Sequence, residues 1–311
     1  MQFTAKDVQE LRMKTGCGMM DCKKALTEKS GNMQEAVDYL REKGLAAANK
    51  KSGKIAAEGL AVAYTNADKT VGAIVEINSE TDFVAKNSEF QDFVKLCADC
   101  IIEKNPADIE EMLKIHSEVK NLSVEQLLQE KILTLGENIK IRRFKRFEGI
   151  VATYIHAGGK ISVMVKFEVE APEEFKKNKV FENNEFNDFT KDIAMQVAAS
   201  SPLYLDKGSV PEDIAEHEKK ILREQIINDG KPENVVEKIV NGRIDKFYKD
   251  VCLTEQVFVK DSSKSISQYV DEVNKKLNLG IKIVDFVRFE KGQGLQKREE
   301  NFADEVANLV K

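Results

Sequence analysis

The chain has 311 residues and a mass of 35.0 kDa, long enough for two or three domains and a sizeable core. Apolar residues make up 42% and charged residues 32%, so the surface carries much charge for the amount of core, which fits an extended or multi-lobed shape. Forty-eight Lys plus Arg against 53 Asp plus Glu give a net charge of −5, and three His, no Trp and 17 Gly leave little material for a His-rich metal site, a Gly-rich nucleotide loop or a whole-chain nucleic-acid footprint.

No run of 18 apolar residues occurs, and the first 14 residues are amphipathic and charged, so neither a membrane span nor a signal peptide is expected. Cys17, Cys22, Cys97, Cys100 and Cys252 are odd in number and lack framework spacing. A reducing cytoplasm is the expected compartment.

The first 43 residues read as three short helices. Thr4 with Asp7 resembles a capping box, and Val8 and Leu11 form the first apolar stripe before Thr15-Gly16-Cys17-Gly18 breaks it. Met19, Met20, Cys22, Ala25 and Leu26 mark a second helix. Asn32 caps a third, with Glu35 at its third position, with Met33, Ala36, Val37 and Leu40 inward, and with Lys43-Gly44 as its expected end. Residues 46–54, small and basic, read as a linker that could carry helical character.

From residue 58 the period changes to two. Leu60, Val62 and Tyr64, a turn at 66–69, then Val71, Ala73, Val75 and Ile77 predict an antiparallel hairpin over 59–78. After a loop at 79–87, Ser88 with Gln91 predicts a capped helix whose Phe90, Phe93, Val94, Cys97 and Ile101 face the core. Glu58-Gly59-Leu60-Ala61-Val62-Ala63-Tyr64 recurs as Glu148-Gly149-Ile150-Val151-Ala152-Thr153-Tyr154, and Glu89-Phe90-Gln91-Asp92-Phe93 recurs as Glu185-Phe186-Asn187-Asp188-Phe189. The hairpin-plus-helix unit is therefore duplicated into a tandem α+β core, with extra loop residues near Asn178 to Asn184.

A charged segment interrupts the second copy. Ser209 and Pro211-Glu212-Asp213 open a helix with Ile214, His217, Ile221 and Ile226 as its apolar positions. Asp229-Gly230-Lys231-Pro232 breaks it. A partner helix over about 232–249 carries Val235, Val236, Ile239, Val240, Ile244 and Phe247, completing an antiparallel helical hairpin. Mixed structure resumes at 255–259, a helix near 264–277 and the run Ile281 to Phe289. A last amphipathic helix with Phe302, Val306 and Leu309 is expected at the C-terminus.

Cys97-Ala98-Asp99-Cys100 is a lone CxxC inside a predicted helix, which reads as packed thiols rather than a zinc or redox site. His116, His156 and His217 lie in different elements, and no nucleophile signature accompanies them, so no catalytic residue is assigned. Arg142-Arg143-Phe144-Lys145-Arg146-Phe147 interleaves cations and aromatics, as single-stranded nucleic-acid binders do. It also reads as a strand, Ile141, Arg143, Lys145 and Phe147 facing one way, which on a chain of net charge −5 is the preferred reading. In Glu80-Thr81-Asp82-Phe83-Val84-Ala85-Lys86-Asn87 two readings stand. Phe83 plugs the local core while Asp82 caps the next helix, or the pair projects as a wedge into a partner.

Leu11-Arg12-Met13-Lys14-Thr15-Gly16-Cys17-Gly18-Met19-Met20-Asp21-Cys22-Lys23-Lys24-Ala25-Leu26 and Thr81-Asp82-Phe83-Val84-Ala85-Lys86-Asn87 resemble the two signatures of the bacterial translation elongation factor Ts family. The resemblance extends through Gly136-Glu137-Asn138-Ile139, Tyr154-Ile155-His156, residues 192–200, Gly230-Lys231-Pro232 and Val287-Arg288-Phe289-Glu290, essentially the whole chain. Leu135 stands where relatives commonly have Ile, and Ala157-Gly158-Gly159 departs slightly in turn length.

The resemblance implies a non-enzymatic guanine nucleotide exchange factor that binds the GDP form of elongation factor Tu. It implies a ubiquitin-associated-like (UBA-like) three-helix domain with its linker over 1–54, a core subdomain over 55–147, a second over 148–208 and 250–296, an inserted helical hairpin over 209–249 and a C-terminal helical module over 297–311. Thr81, Asp82, Phe83 and Val84 would dislodge the partner's Mg²⁺. Leu11, Met19, Met20, Gly136 and His156 would make further partner contacts. No cofactor, membrane or direct nucleic-acid partner is implied, and relatives act in one-to-one or two-to-two assemblies, a homo-dimer included. The alternative class is a nucleic-acid-binding or structural helical-arm protein.

Overall fold

A computed structural model describes residues 3–117, 122–170 and 179–296. The expected helix carrying Phe302, Val306 and Leu309 lies outside these residues, as does Asn178 at the start of the extra loop residues, of which Lys179–Glu182 form a short 3-10 turn.

Three helices, α1 (Ala5–Thr15), α2 (Met19–Glu28) and α3 (Met33–Lys51), enclose a small core of Val8, Leu11, Cys17, Cys22, Ala25, Leu26, Ala36 and Leu40. The Thr4/Asp7 capping box and the Asn32 cap form as expected. The expected end at Lys43-Gly44 does not. α3 continues to Lys51, and a Cβ on Gly44 would lie 3.3 Å from the Gln129 carbonyl oxygen, so the glycine serves close helix approach rather than helix termination. The stretch read as a linker is thus largely helical, and Ala48 packs against the neighbouring core.

β1 (Glu58–Thr65), β2 (Val71–Ser79) and β3 (Lys140–Glu148) form one antiparallel sheet in that order; β4 (Ile150–His156), β5 (Ile161–Glu170) and β8 (Gly280–Glu290) form a second. α5 (Ser88–Lys104) packs on the first sheet and α8 (Asn184–Ser200) on the second. The repeat is geometric as well as sequential. Gly59 and Gly149 open their strands at φ 112° and 113°, and Asn87 and Asn183 cap the two helices. Asn87, not Ser88, is therefore the cap, and the Gln91 side chain instead donates to the Ala85 carbonyl.

Five of the eight residues of β1 and eight of the nine of β2 are buried, so the inside-outside alternation expected for a half-exposed hairpin is lost. The reason is the second sheet. Ala61, Ala63 and Ile74 meet Val151, Met164 and Phe289 across the sheet-to-sheet seam. Gly72 belongs there because a Cβ would fall 2.6 Å from Val151 Cγ1 and 2.9 Å from Met164 Sδ.

Residues 105–117 and 122–139, to which the sequence assigned no element, hold α6 (Ile109–Lys114) and α7 (Val124–Leu135). A Ser123/Gln126 capping box opens α7 and Gly136, at φ 75°, closes it. α7 packs along α3, and Leu133 contributes to the small N-terminal core.

α9 (Glu212–Asn228) and α10 (Glu233–Val251) pair side by side, with Ile226, Val236 and Val240 in the seam. Ala215 is buried whereas Ile214 and Ile221 are exposed, so the seam on α9 begins one residue away from the expected stripe and coincides with it only at Ile226. Arg223 makes a two-pronged ion pair with Glu237 across the pair. A short β6 (Val257–Phe258) and β7 (Asp261–Ser265) then lead into α11 (Ile266–Leu277), and β8 returns to the second sheet.

The chain re-crosses its own start after β8. Lys291 pairs with Glu58, and the backbone of Gly292 runs so close to Ala57 that a Cβ would lie 2.2 Å from its carbonyl oxygen. Glu76, fully buried on β2, accepts the Gly292 N–H at 2.8 Å together with Arg142 at 2.9 Å, Arg143 at 2.6 Å and Asn78 at 3.1 Å. Strict alternation on β3 would send Arg142 and Arg143 to opposite faces. A register shift at Glu76/Ile77 lets both reach one carboxylate.

Candidate functional site

The segment after β2 is short and pinned at several points. Ser79 donates its hydroxyl to the Thr81 carbonyl at 2.9 Å, and Asp82–Ala85 makes a single helical turn, α4. Val84 and Ala85 are buried in the first core, and Asn87 caps α5 directly behind them. Phe83 points the other way and is 78% exposed. The core-plug reading is thereby overturned, and Asp82 caps nothing. It pairs with Lys86 at 2.6 Å, and that hydrogen bond holds its carboxyl below the usual value, with Lys291 adding a weaker pull. The Lys86 ammonium lies 5.8 Å from the centre of the Phe83 ring. An exposed aromatic ring beside an anion is thus carried on a turn whose other face is locked in the core.

Glu137, two residues beyond the end of α7, grips the same turn from outside. Its Oε2 accepts the N–H of Glu80 at 3.1 Å and of Thr81 at 3.0 Å, and its Oε1 accepts the Thr81 hydroxyl at 2.5 Å. Glu80 returns the arrangement, accepting the Asn138 N–H at 2.6 Å and Lys54 at 2.8 Å. Burial raises the Glu80 carboxyl, but the bonds from Lys54 and the Asn138 N–H outweigh it and leave it low. Asn138 donates to the Lys54 carbonyl at 2.7 Å, and Lys51 donates to that of Gly136. Glu80, Glu137 and Lys54 had no role in the sequence reading. Glu137 lies inside the Gly136–Ile139 motif, but a hydrogen bond spanning 56 positions leaves no local periodicity to read.

The remaining candidates divide by burial. Met20 is 74% exposed and Met19 is exposed beside it, so neither is a core residue. Leu11 is fully buried in the core of the three N-terminal helices and so forms no part of that surface, contrary to the expected partner contact. Met13, which the sequence reading did not single out, is as exposed as Met20. Gly136 is exposed at the end of α7, and His156 is exposed at the end of β4, where Tyr154 Oη lies 3.1 Å from its Nδ1.

Two other motifs are absorbed by the fold. Arg142 and Arg143 are engaged by Glu76, Arg146 by Glu148 and the Ile102 carbonyl, and Phe147 is buried, so the basic-aromatic run is a strand with its charges largely committed. Cys97 is fully buried, and desolvation pushes its thiol well above the ordinary value. Among the described residues no cluster of His, Cys, Asp and Glu is placed to hold a metal ion, and no helix is long and apolar enough to cross a membrane.

Fold and site together define a protein of two repeated α+β units that carries an aromatic-tipped turn, pinned at its base and exposed at its tip. A family model described as elongation factor Ts matches residues 80–293. Elongation factor Ts of Trichlorobacter lovleyi is 49% identical over 311 residues, covering 99% of this chain and 98% of its own, and the Clostridium perfringens strain SM101 and Clostridioides difficile strain 630 proteins of that name are each 48% identical, with 99% of both chains covered. The chain belongs to the elongation factor Ts family of translation elongation factors.

Proposed function

We propose that this chain is a guanine nucleotide exchange factor for elongation factor Tu, engaging its GDP form and accelerating GDP release without making or breaking a bond itself. The observation that carries the reading is the exposure of Phe83 on a turn fixed by Val84, Ala85 and Glu137. Such a side chain can enter a partner's pocket with little ordering cost, because its backbone is already in place. Asp82 sets an anion beside it. Inserted next to the partner's nucleotide site, the pair would shift its helices and disturb the Mg²⁺ that helps hold the β-phosphate.

Linkage then makes the effect reciprocal. If the chain weakens GDP binding by some factor, GDP weakens the chain's binding by the same factor, and incoming GTP expels it in turn. Met19 and Met20 offer a flexible apolar surface for a helix of the partner's nucleotide domain, and Gly136 and His156 offer further contacts. In this reading the three N-terminal helices form the UBA-like unit and the complex works in the cytoplasm, one-to-one or two-to-two. Release of labelled GDP from elongation factor Tu, with and without the chain at micromolar concentration, tests the proposal. Unchanged release would sink it.

A further inference from the structure

We infer that Glu137 is a positioning residue for the Phe83 turn, acting on the partner only through Thr81 and the backbone that precedes Asp82. The inference rests on the exchange-factor reading above and goes beyond it by assigning the wedge its clamp.

The chemistry of the donors requires an acceptor here. The N–H groups of Glu80 and Thr81 leave the β2 ladder and precede the first turn of α4, so neither a strand nor a helix supplies their partner. One carboxylate takes both, at 3.1 and 3.0 Å, and takes the Thr81 hydroxyl with its other oxygen at 2.5 Å. Charge-assisted bonds of this kind are roughly twice as strong as neutral ones. Three contacts from one planar group fix the turn in position and in rotation. The alternative for these donors is water, which would leave the segment between Ser79 and Val84 held only by the Ser79 hydroxyl and the Glu80 carboxylate, and so looser beneath the exposed ring.

Glu137 is itself held firmly. α7 ends at Gly136 in the left-handed conformation, which turns the chain toward β2, and the adjacent Asn138 N–H bonds to Glu80 at 2.6 Å. Each strand of the contact thus caps the other. The Lys54 ammonium and carbonyl engage Glu80 and Asn138, so the segment arriving from α3 joins the same junction. The clamp therefore sets the Phe83 turn relative to the end of α7 and to the helical unit that bears Met19 and Met20.

The test compares wild type, Glu137→Ala, Glu137→Gln, Phe83→Ala and the Phe83→Ala/Glu137→Ala double variant in GDP release from elongation factor Tu, with amide hydrogen exchange read on each free protein. Glu137→Ala is expected to lower the maximal release rate about fivefold or more and to speed exchange of the Glu80 and Thr81 amides at least tenfold, while those of Ala73 to Ile77 stay protected. Glu137→Gln should recover to within about twofold of wild type, since its carbonyl still accepts both amides and its amide can donate to the Thr81 hydroxyl. The double variant should lose clearly less than the two single losses combined, because most of what Glu137 positions is already gone with the ring. A general loss of structure would instead add to the Phe83→Ala defect. Wild-type release rate in Glu137→Ala, or additive losses in the double variant, would overturn the inference and leave the exchange-factor reading intact; no acceleration by wild type overturns both. Should Glu137→Ala fail to fold, Glu137→Asp, with its carboxylate withdrawn by one methylene, carries the same comparison.

Discussion

Leaving Phe83 in water forgoes the burial of a large ring, worth on the order of 2 kcal/mol, so the fold gains nothing from that side chain. Phe90, seven residues on and fully buried against the first sheet, is the internal contrast. Phe83→Ala is expected to change unfolding free energy by no more than about 0.5 kcal/mol and to slow GDP exchange about tenfold or more, a loss of roughly 1.4 kcal/mol of coupling. Phe90→Ala should cost about 3 to 5 kcal/mol of stability, and per folded molecule should leave exchange unaltered. Urea unfolding beside the release assay separates the two. A destabilised, exchange-competent Phe83→Ala would remove the ring from the mechanism. The sequence alone held both readings of Phe83 open for a physical reason: a four-residue turn has too few positions to show an apolar period, so the direction of one ring is decided by Val84 and Ala85 entering the core.

Elements with their own start and stop chemistry were legible, and those fixed by distant partners were not. The duplicated hairpin and helix, the Thr4/Asp7 box and the Asn32 cap follow from local residue order. The length of α3 was misjudged because Gly44 is placed by the backbone of Gln129, and the β3 register because Arg142 and Arg143 answer to Glu76 on another strand. That buried carboxylate gives an element-scale prediction. Burial on its own would raise its pKa, yet hydrogen bonds from the Gly292 N–H, Arg142, Asn78 and Arg143 bring it below the ordinary 4.5. A group whose folded value is depressed stabilises fully above its unfolded value and loses that contribution as pH falls through the folded one. Glu76→Gln should therefore cost about 3 kcal/mol at pH 7. Its deficit relative to wild type should shrink once the pH drops below the unfolded value. A deficit that stays constant down to acid unfolding would show that the carboxylate does not carry charge-dependent stability.

At the scale of the whole molecule, the two sheets meet through small and glycine positions, which brings the repeats close enough to behave as one body. The Ala61 N–H donates to Gly159 across the repeats at 2.9 Å, and Ser162, fully buried, donates to the Ala61 carbonyl at 2.6 Å. Gly72→Ala would force Val151 and Met164 aside and should lower stability by about 1 to 3 kcal/mol. Calorimetry should show a lower transition that is still single. Two separated transitions would mean that the repeats unfold independently and that the seam does not couple them. Sequence repeats announced the two units; which faces they press together was not written in either copy, because alternation only tells inside from outside.

The pairing of Glu58 with Lys291 joins groups 233 positions apart, at the entry to β1 and just past the end of β8. Closure of that ring needs both repeats, the helical arm inserted in the second and the last strand, so the contact order of the core is high and its folding correspondingly slow. A chain emerging from the ribosome from its N-terminus can assemble α1 to α3 early, since Val8, Leu11, Leu26 and Leu40 already supply a local core. β1 to β3, by contrast, keep one face uncovered until Val151 and Met164 follow on β4 and β5, and the seam is complete only when β8 brings Phe289 near the end of synthesis.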